Sequence, residues 1–163
     1  MDSTDFYRSF HTHPVNKLIH VFCIPMIVLS TMNFLSKVSY RIQLPPYKYG
    51  PDTRHVMHNT ITIDYNTIFA FYSIYYYLFW NFKIGFVMQM YISILSILGK
   101  SWRESDKKWF RHSIIMFVSA WMMQFLGHAI EGNRPALLTS LTQSVFQAPL
   151  FTLEYIYPGQ LLT

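Results

Sequence analysis

Two short stretches hold the residues able to do chemistry. In "WMMQFLGHAIE", residues 121–131, Gln124 and His128 are four apart and Glu131 follows three later, so a helix puts all three on one face. In "FHTHPVNKLIH", residues 10–20, Asn16 and His20 share a face in the same way, and His11 lies close enough before the helix to fold over its end. If the two clusters meet, His11, His20, His128 and Glu131 form one site. Imidazoles with a carboxylate suit a divalent first-row metal, and such a set with positions left open is what non-haem Fe(II) uses in oxygen chemistry. Asn16 and Gln124 read as interhelical hydrogen-bonders or as groups that support the ligands.

Plainer readings exist for every histidine. A lone imidazole in a membrane helix commonly bonds across helices as packing. His13 reads as a turn residue before Pro14, His55 and His58 as solvated loop residues, and His112 as interfacial. The seven histidines include no adjacent pair, which excludes the paired-histidine boxes of membrane di-iron hydroxylases and leaves a mononuclear site as the economical alternative.

The elements that must position these residues follow from composition. The chain of 163 residues is 52% hydrophobic and 13% charged, about half the charge of a soluble globular domain. One domain, residues 1–163, is expected from that length, and it is a membrane domain. Windows of about 20 weakly charged residues match the hydrocarbon thickness of a bilayer. The net charge of +5 does not mark a nucleic-acid binder, because the basic residues flank apolar runs. "KSWRESDKKWFRH", residues 100–112, mixes basic and tryptophan side chains as a headgroup-level loop does. Cys23 is the only cysteine, which excludes a disulfide within the chain and a thiolate metal cluster. No cleavable signal is evident, so the first apolar run is expected to stay as an anchor.

An all-α, multi-pass membrane protein with about four spanning or dipping helices is the expected fold. Its first span is Leu18–Leu35, with Pro14 in the first helical turn and Pro25 as a kink. Residues 37–59 read as a loop. A hairpin over Ile61–Gly99 breaks at "NFKIG", residues 81–85, and each arm is near the short end for a full span. Ser113–Ile130 is the next helix, stopped by "EGNRP". Residues 136–157 read as an interfacial or packed helix. The two basic loops fall on one side of the membrane, the cytosolic side by the positive-inside rule.

The two motifs together resemble the Mpo1-like family. "FHTHPVNKLIHVFCIP" is similar to Y-H-x-x-P-x-N-x-x-x-H with an apolar run after it, and "WMMQFLGHAIEGNRPALL" to W-x-x-Q-F-x-G-H-x-x-x-E-x-x-x-P-A-L-L. The resemblance implies a multi-pass endoplasmic-reticulum membrane protein that acts as an Fe(II)-dependent 2-hydroxy fatty acid dioxygenase in α-oxidation and sphingolipid breakdown. It implies Fe2+ held by His11, His20 and His128, with O2 and a 2-hydroxy fatty acid as substrates. Pro14, Asn16, Gln124 and Pro135 match as well. Phe10 stands where the pattern has tyrosine, and the interval from His128 to Pro135 is one residue shorter, which moves the glutamate to position 131. Arg134 suits the carboxylate of such a substrate or a headgroup contact. The rival readings are a non-catalytic hairpin protein that binds lipid or shapes the bilayer and, with less support, a small transporter. Oligomeric state is left open by the sequence.

Overall fold

The computed structural model describes residues 11–43, 47–48, 56–57, 60–79, 81–133 and 141–156. Its elements are α1 (Pro14–Ser36), β1 (Ser39–Gln43), β2 (Tyr47–Lys48), β3 (Val56–Met57), β4 (Thr60–Asp64), α2 (Tyr65–Leu78), α3 (Phe82–Ser105), α4 (Trp109–Glu131) and α5 (Leu141–Ile156). The fold is that of an all-α membrane protein. α1, α3 and α4 are long and apolar enough to cross a bilayer. α2, with 14 residues, reaches about 21 Å at 1.5 Å per residue, short of a full crossing.

α1 is the central helix, packed along α4 and touching α2, α3 and α5. Its buried stripe is polar, with Asn16, His20, Ser30 and Asn33 all within it, whereas Leu18 and Phe22 on its outer face are exposed. The other helices likewise turn large apolar side chains outward, among them Phe71, Phe86 and Ile97. That inversion suits a lipid surround, where polar groups must find partners inside the bundle.

Several boundaries differ from those expected. Helix α1 begins at Pro14, as its place in the first turn implied, whereas α4 begins at Trp109 rather than Ser113, because arginine and histidine near a helix end do not stop it. His13 is no simple turn residue: it caps α1, its Nδ1 accepting the Val15 N–H at 3.2 Å. The expected basic loop at 100–112 is helical through Ser105 and broken only at 106–108. Residues 37–59 are not simply a loop. β1 pairs antiparallel with β4, Ser39 opposite Asp64 through Gln43 opposite Thr60, and β2 pairs with β3. The sequence of β4, Thr-Ile-Thr-Ile, has the β-branched alternation that favours a strand over the start of a helix. Asp64 then caps α2 by accepting the Thr67 N–H at 2.7 Å. α1 runs on through Pro25.

One end of the bundle is tied by Asn33. Its Oδ1 accepts from Arg103 at 2.6 Å and its Nδ2 donates to Ser113 Oγ at 3.1 Å, which links α1, α3 and α4. Gly99 permits this approach, since a Cβ there would lie 2.8 Å from Asn33 Oδ1. The start of the β1–β4 ribbon and the 106–108 turn therefore lie toward this end of the bundle.

At the turn, Asp106 accepts from His112 at 2.5 Å, from the Lys108 N–H at 2.8 Å and from the Trp102 indole at 3.1 Å. The His112 hydrogen bond, then those of Lys108 and Trp102, hold its carboxyl below the usual carboxylate range. A folded-state value below the unfolded one gives stability that is present above about pH 3.9 and is lost as pH falls through the folded value. Asp106→Asn is thus expected to melt earlier than the parent chain at neutral pH, the gap closing below pH 4 in thermal scans; a gap independent of pH would refute this.

Candidate metal centre

At the opposite end, α1 and α4 bring three imidazoles together. His20 comes from the second turn of α1, His128 from the last turn of α4, and His11 from the segment that precedes α1. One nitrogen from each lies within 4.8 Å of the others. The rings meet edge to face, with centroids 4.4 Å apart for His11 and His20, 4.9 Å for His11 and His128, and 5.1 Å for His20 and His128. All three are at least nineteen-twentieths buried, at 2%, 2% and 5% exposure, so water hardly reaches them.

The donor set fits a metal ion. His20 Nδ1 donates to the Asn16 carbonyl at 2.9 Å, which fixes the tautomer and leaves the Nε2 lone pair facing the cluster. That Nε2 lies 3.1 Å from His11 Nε2. Two nitrogens each about 2.1 Å from one ion and at roughly right angles are about 3 Å apart. Among the described residues His128 Nδ1 is buried with no hydrogen-bond partner, and a buried imidazole nitrogen left over in this way is in keeping with a ligand site.

Glu131 is not brought into this set. Its carboxylate takes four hydrogen bonds from the start of α1: the Thr12 N–H, the Thr12 hydroxyl at 2.6 Å, the His13 N–H at 2.9 Å and the Asn16 side-chain amide. A negative group over the free N–H groups and positive dipole end of a helix is favourable. The carboxylate therefore closes α4 onto α1 and fixes the residues next to His11. Asn16 joins both roles, through its carbonyl to His20 and its amide to Glu131.

Gly127 lets the two helices approach. A Cβ there would overlap the Asn16 side chain and lie 3.3 Å from Ile19 Cδ1. Gly127→Ala should cost about 1–3 kcal/mol by overpacking and weaken metal binding, measured as a lower melting temperature and a higher metal dissociation constant. Gly132 ends α4 at φ 77°, its N–H bonded to the His128 carbonyl at 2.9 Å.

The chain matches the family model described as 2-hydroxy-palmitic acid dioxygenase Mpo1-like over residues 1–159. It belongs to the Mpo1-like family. A relative, the 2-hydroxy-palmitic acid dioxygenase MPO1 of Saccharomyces cerevisiae, is 26% identical over 154 residues, 93% of this chain and 76% of the yeast protein. No solved structure matches this Mpo1-like chain.

Of the residues singled out from sequence, the fold unites His11, His20 and His128 and sets Asn16 beside them. Gln124, one turn before His128, is buried, and among the described residues its Nε2 has no partner and makes no interhelical hydrogen bond. Arg134, Pro135, Phe10, His55 and His58 lie outside the described residues. Sequence reasoning missed Thr12, whose place before the α1 cap was the only signal. It also missed Phe151 of α5, whose ring lies 5.3 Å from that of His11 and packs against Ile24 and Ala148 on the cavity side of the Mpo1-like site.

Proposed function

We propose that this chain is an Fe(II)-dependent dioxygenase of fatty-acid α-oxidation. The observation that carries the reading is the buried three-histidine cluster in a membrane protein of the Mpo1-like family. A 2-hydroxy fatty acid and O2 become the acid one carbon shorter, CO2 and water. Atoms and electrons balance: the C1–C2 bond breaks, the substrate loses four electrons, and O2 takes four, so no reductant or 2-oxoglutarate is needed. His11, His20 and His128 would hold Fe2+, and when bound that ion would supply the activation of O2 and a Lewis acid for the oxygens of the 2-hydroxy acid head.

The chain's own groups do the rest. Asn16 orients His20, Glu131 holds the segment bearing His11, and Phe151 packs its ring against that of His11. The site lies at the ends of the spanning helices, where an acid head sits at the bilayer surface and its alkyl chain enters the apolar interior. Arg134 attracts the carboxylate on approach. Residues 1–163 act as one domain in the endoplasmic-reticulum membrane, degrading 2-hydroxy acids from phytosphingosine breakdown.

Purified protein loaded with Fe(II) without oxygen, then given air and 2-hydroxypalmitate, should release pentadecanoate, read by mass spectrometry. Folded protein that retains no iron and forms no product would support a non-catalytic lipid-binding role with the histidines as packing groups.

A further inference from the structure

Beneath the histidines lies a cavity of about 200 Å³ between the helices. Its two long walls are Ile24, Val28 and Thr31 of α1, and Gln124, Trp121 and Phe117 of α4. It starts one turn from the metal centre, since Ile24 follows His20 by four residues and Gln124 precedes His128 by four. The two helices carry their histidines at the same end but run in opposite directions along the chain, so both walls descend together. Thr31 and Phe117 are each eleven residues from their histidine, about 16 Å along the axis at 1.5 Å per residue.

The wall behaves as hydrocarbon although it includes hydroxyl groups. Thr31 Oγ1 donates to the Ile27 carbonyl at 2.8 Å, Ser73 Oγ to that of Phe69 at 2.8 Å, and the Tyr77 hydroxyl to that of Phe146. Gln124 is the exception: 8% exposed, with a buried Nε2 that has no partner among the described residues. A buried donor left unpaired is costly, and native structures retain few without a role. The slot is therefore dry and apolar along its depth, with one amide donor at the end nearest the histidines. That is the polarity profile of an oxygen-bearing head on an alkyl tail.

We propose that this cavity is the acyl-chain site. The substrate's tail lies between α1 and α4 with its methyl end toward Thr31, Phe69 and Phe117, and Gln124 Nε2 donates to an oxygen of the head beneath the histidines. The identity of the head as a 2-hydroxy acid rests on the dioxygenase reading. The floor is then the determinant of chain length, and Gln124 a determinant of head-group recognition.

A 2-hydroxy fatty acid carrying a diazirine near its methyl end tests this without turnover. Irradiated with the detergent-purified chain, it should label the peptides holding Thr31, Phe69 and Phe117, and excess 2-hydroxypalmitate should suppress that labelling. Label confined to lipid-facing positions such as Phe86 and Val118, or not suppressed by competitor, overturns the proposal. Turnover gives a second reading. Val28→Trp should lower the ratio of long-chain to short-chain turnover by about tenfold or more, and Phe117→Ala should shift preference to longer chains. Gln124→Leu should raise KM with iron content unchanged. Unaltered chain-length ratios in both folded variants would also overturn it. If the parent chain turns over no 2-hydroxy acid, the dioxygenase reading fails, and the competed label alone decides whether the cavity holds a fatty acid.

Discussion

His128→Ala, loaded with Fe(II) under nitrogen, is expected to lose bound iron and pentadecanoate formation together. Outer partners of a metal site typically cost 10- to 100-fold in affinity or activity when removed, and a ligand should exceed that range. Two imidazoles would remain, too few to hold a labile divalent ion in a site closed to water. The apo-protein separates this role from packing. Because His128 Nδ1 has no hydrogen-bond partner among the described residues, its removal breaks no bond to them at that atom. The variant should therefore stay folded, with helical circular dichroism unchanged, and added imidazole should restore part of the iron. A variant that unfolds, or one that keeps full iron content, would refute the assignment of His128 as a ligand.

Glu131→Gln should produce the next largest effect, for a different reason. Glutamine is isosteric but offers one acceptor oxygen where the carboxylate offers two, and its NH2 would face the donors of Thr12 and His13 or that of Asn16. Losing one charge-assisted hydrogen bond costs about 1.5–3 kcal/mol. Metal affinity should fall about 10- to 100-fold, because the segment bearing His11 is no longer fixed. The visible spectrum of the Co(II)-loaded variant should nevertheless match the parent's if the three imidazoles are the ligands, as proposed. A changed spectrum would make Glu131 a ligand and sink its role as a clamp.

The legible parts of the sequence were those with local causes. The apolar runs gave the spanning helices, because a bilayer-length stretch with few charges has no other stable setting. The spacing of Gln124, His128 and Glu131 put them on one helical face, and that of Asn16 and His20 did the same. The β1–β4 ribbon was illegible because its pairing joins residues far apart in the chain, and the proline-rich sequence between them read as loop. The helix ends were misplaced wherever charged residues continued a helix past its apolar run, as at Trp102 and Arg103.

Sequence by itself determined an α-helical membrane protein carrying two polar clusters, each built from residues within a few turns of one another. Only the tertiary structure decided how the clusters divide their work. All four candidate ligands were chemically suited to a metal, and spacing along α4 cannot distinguish His128 from Glu131. The distinction comes from how α1 meets α4: Gly127 lets Asn16 close in, the N–H groups of Thr12 and His13 just before α1 take the carboxylate, and the imidazoles are left to face one another. Those N–H groups belong to the backbone, so no side-chain pattern could have announced that they would claim Glu131.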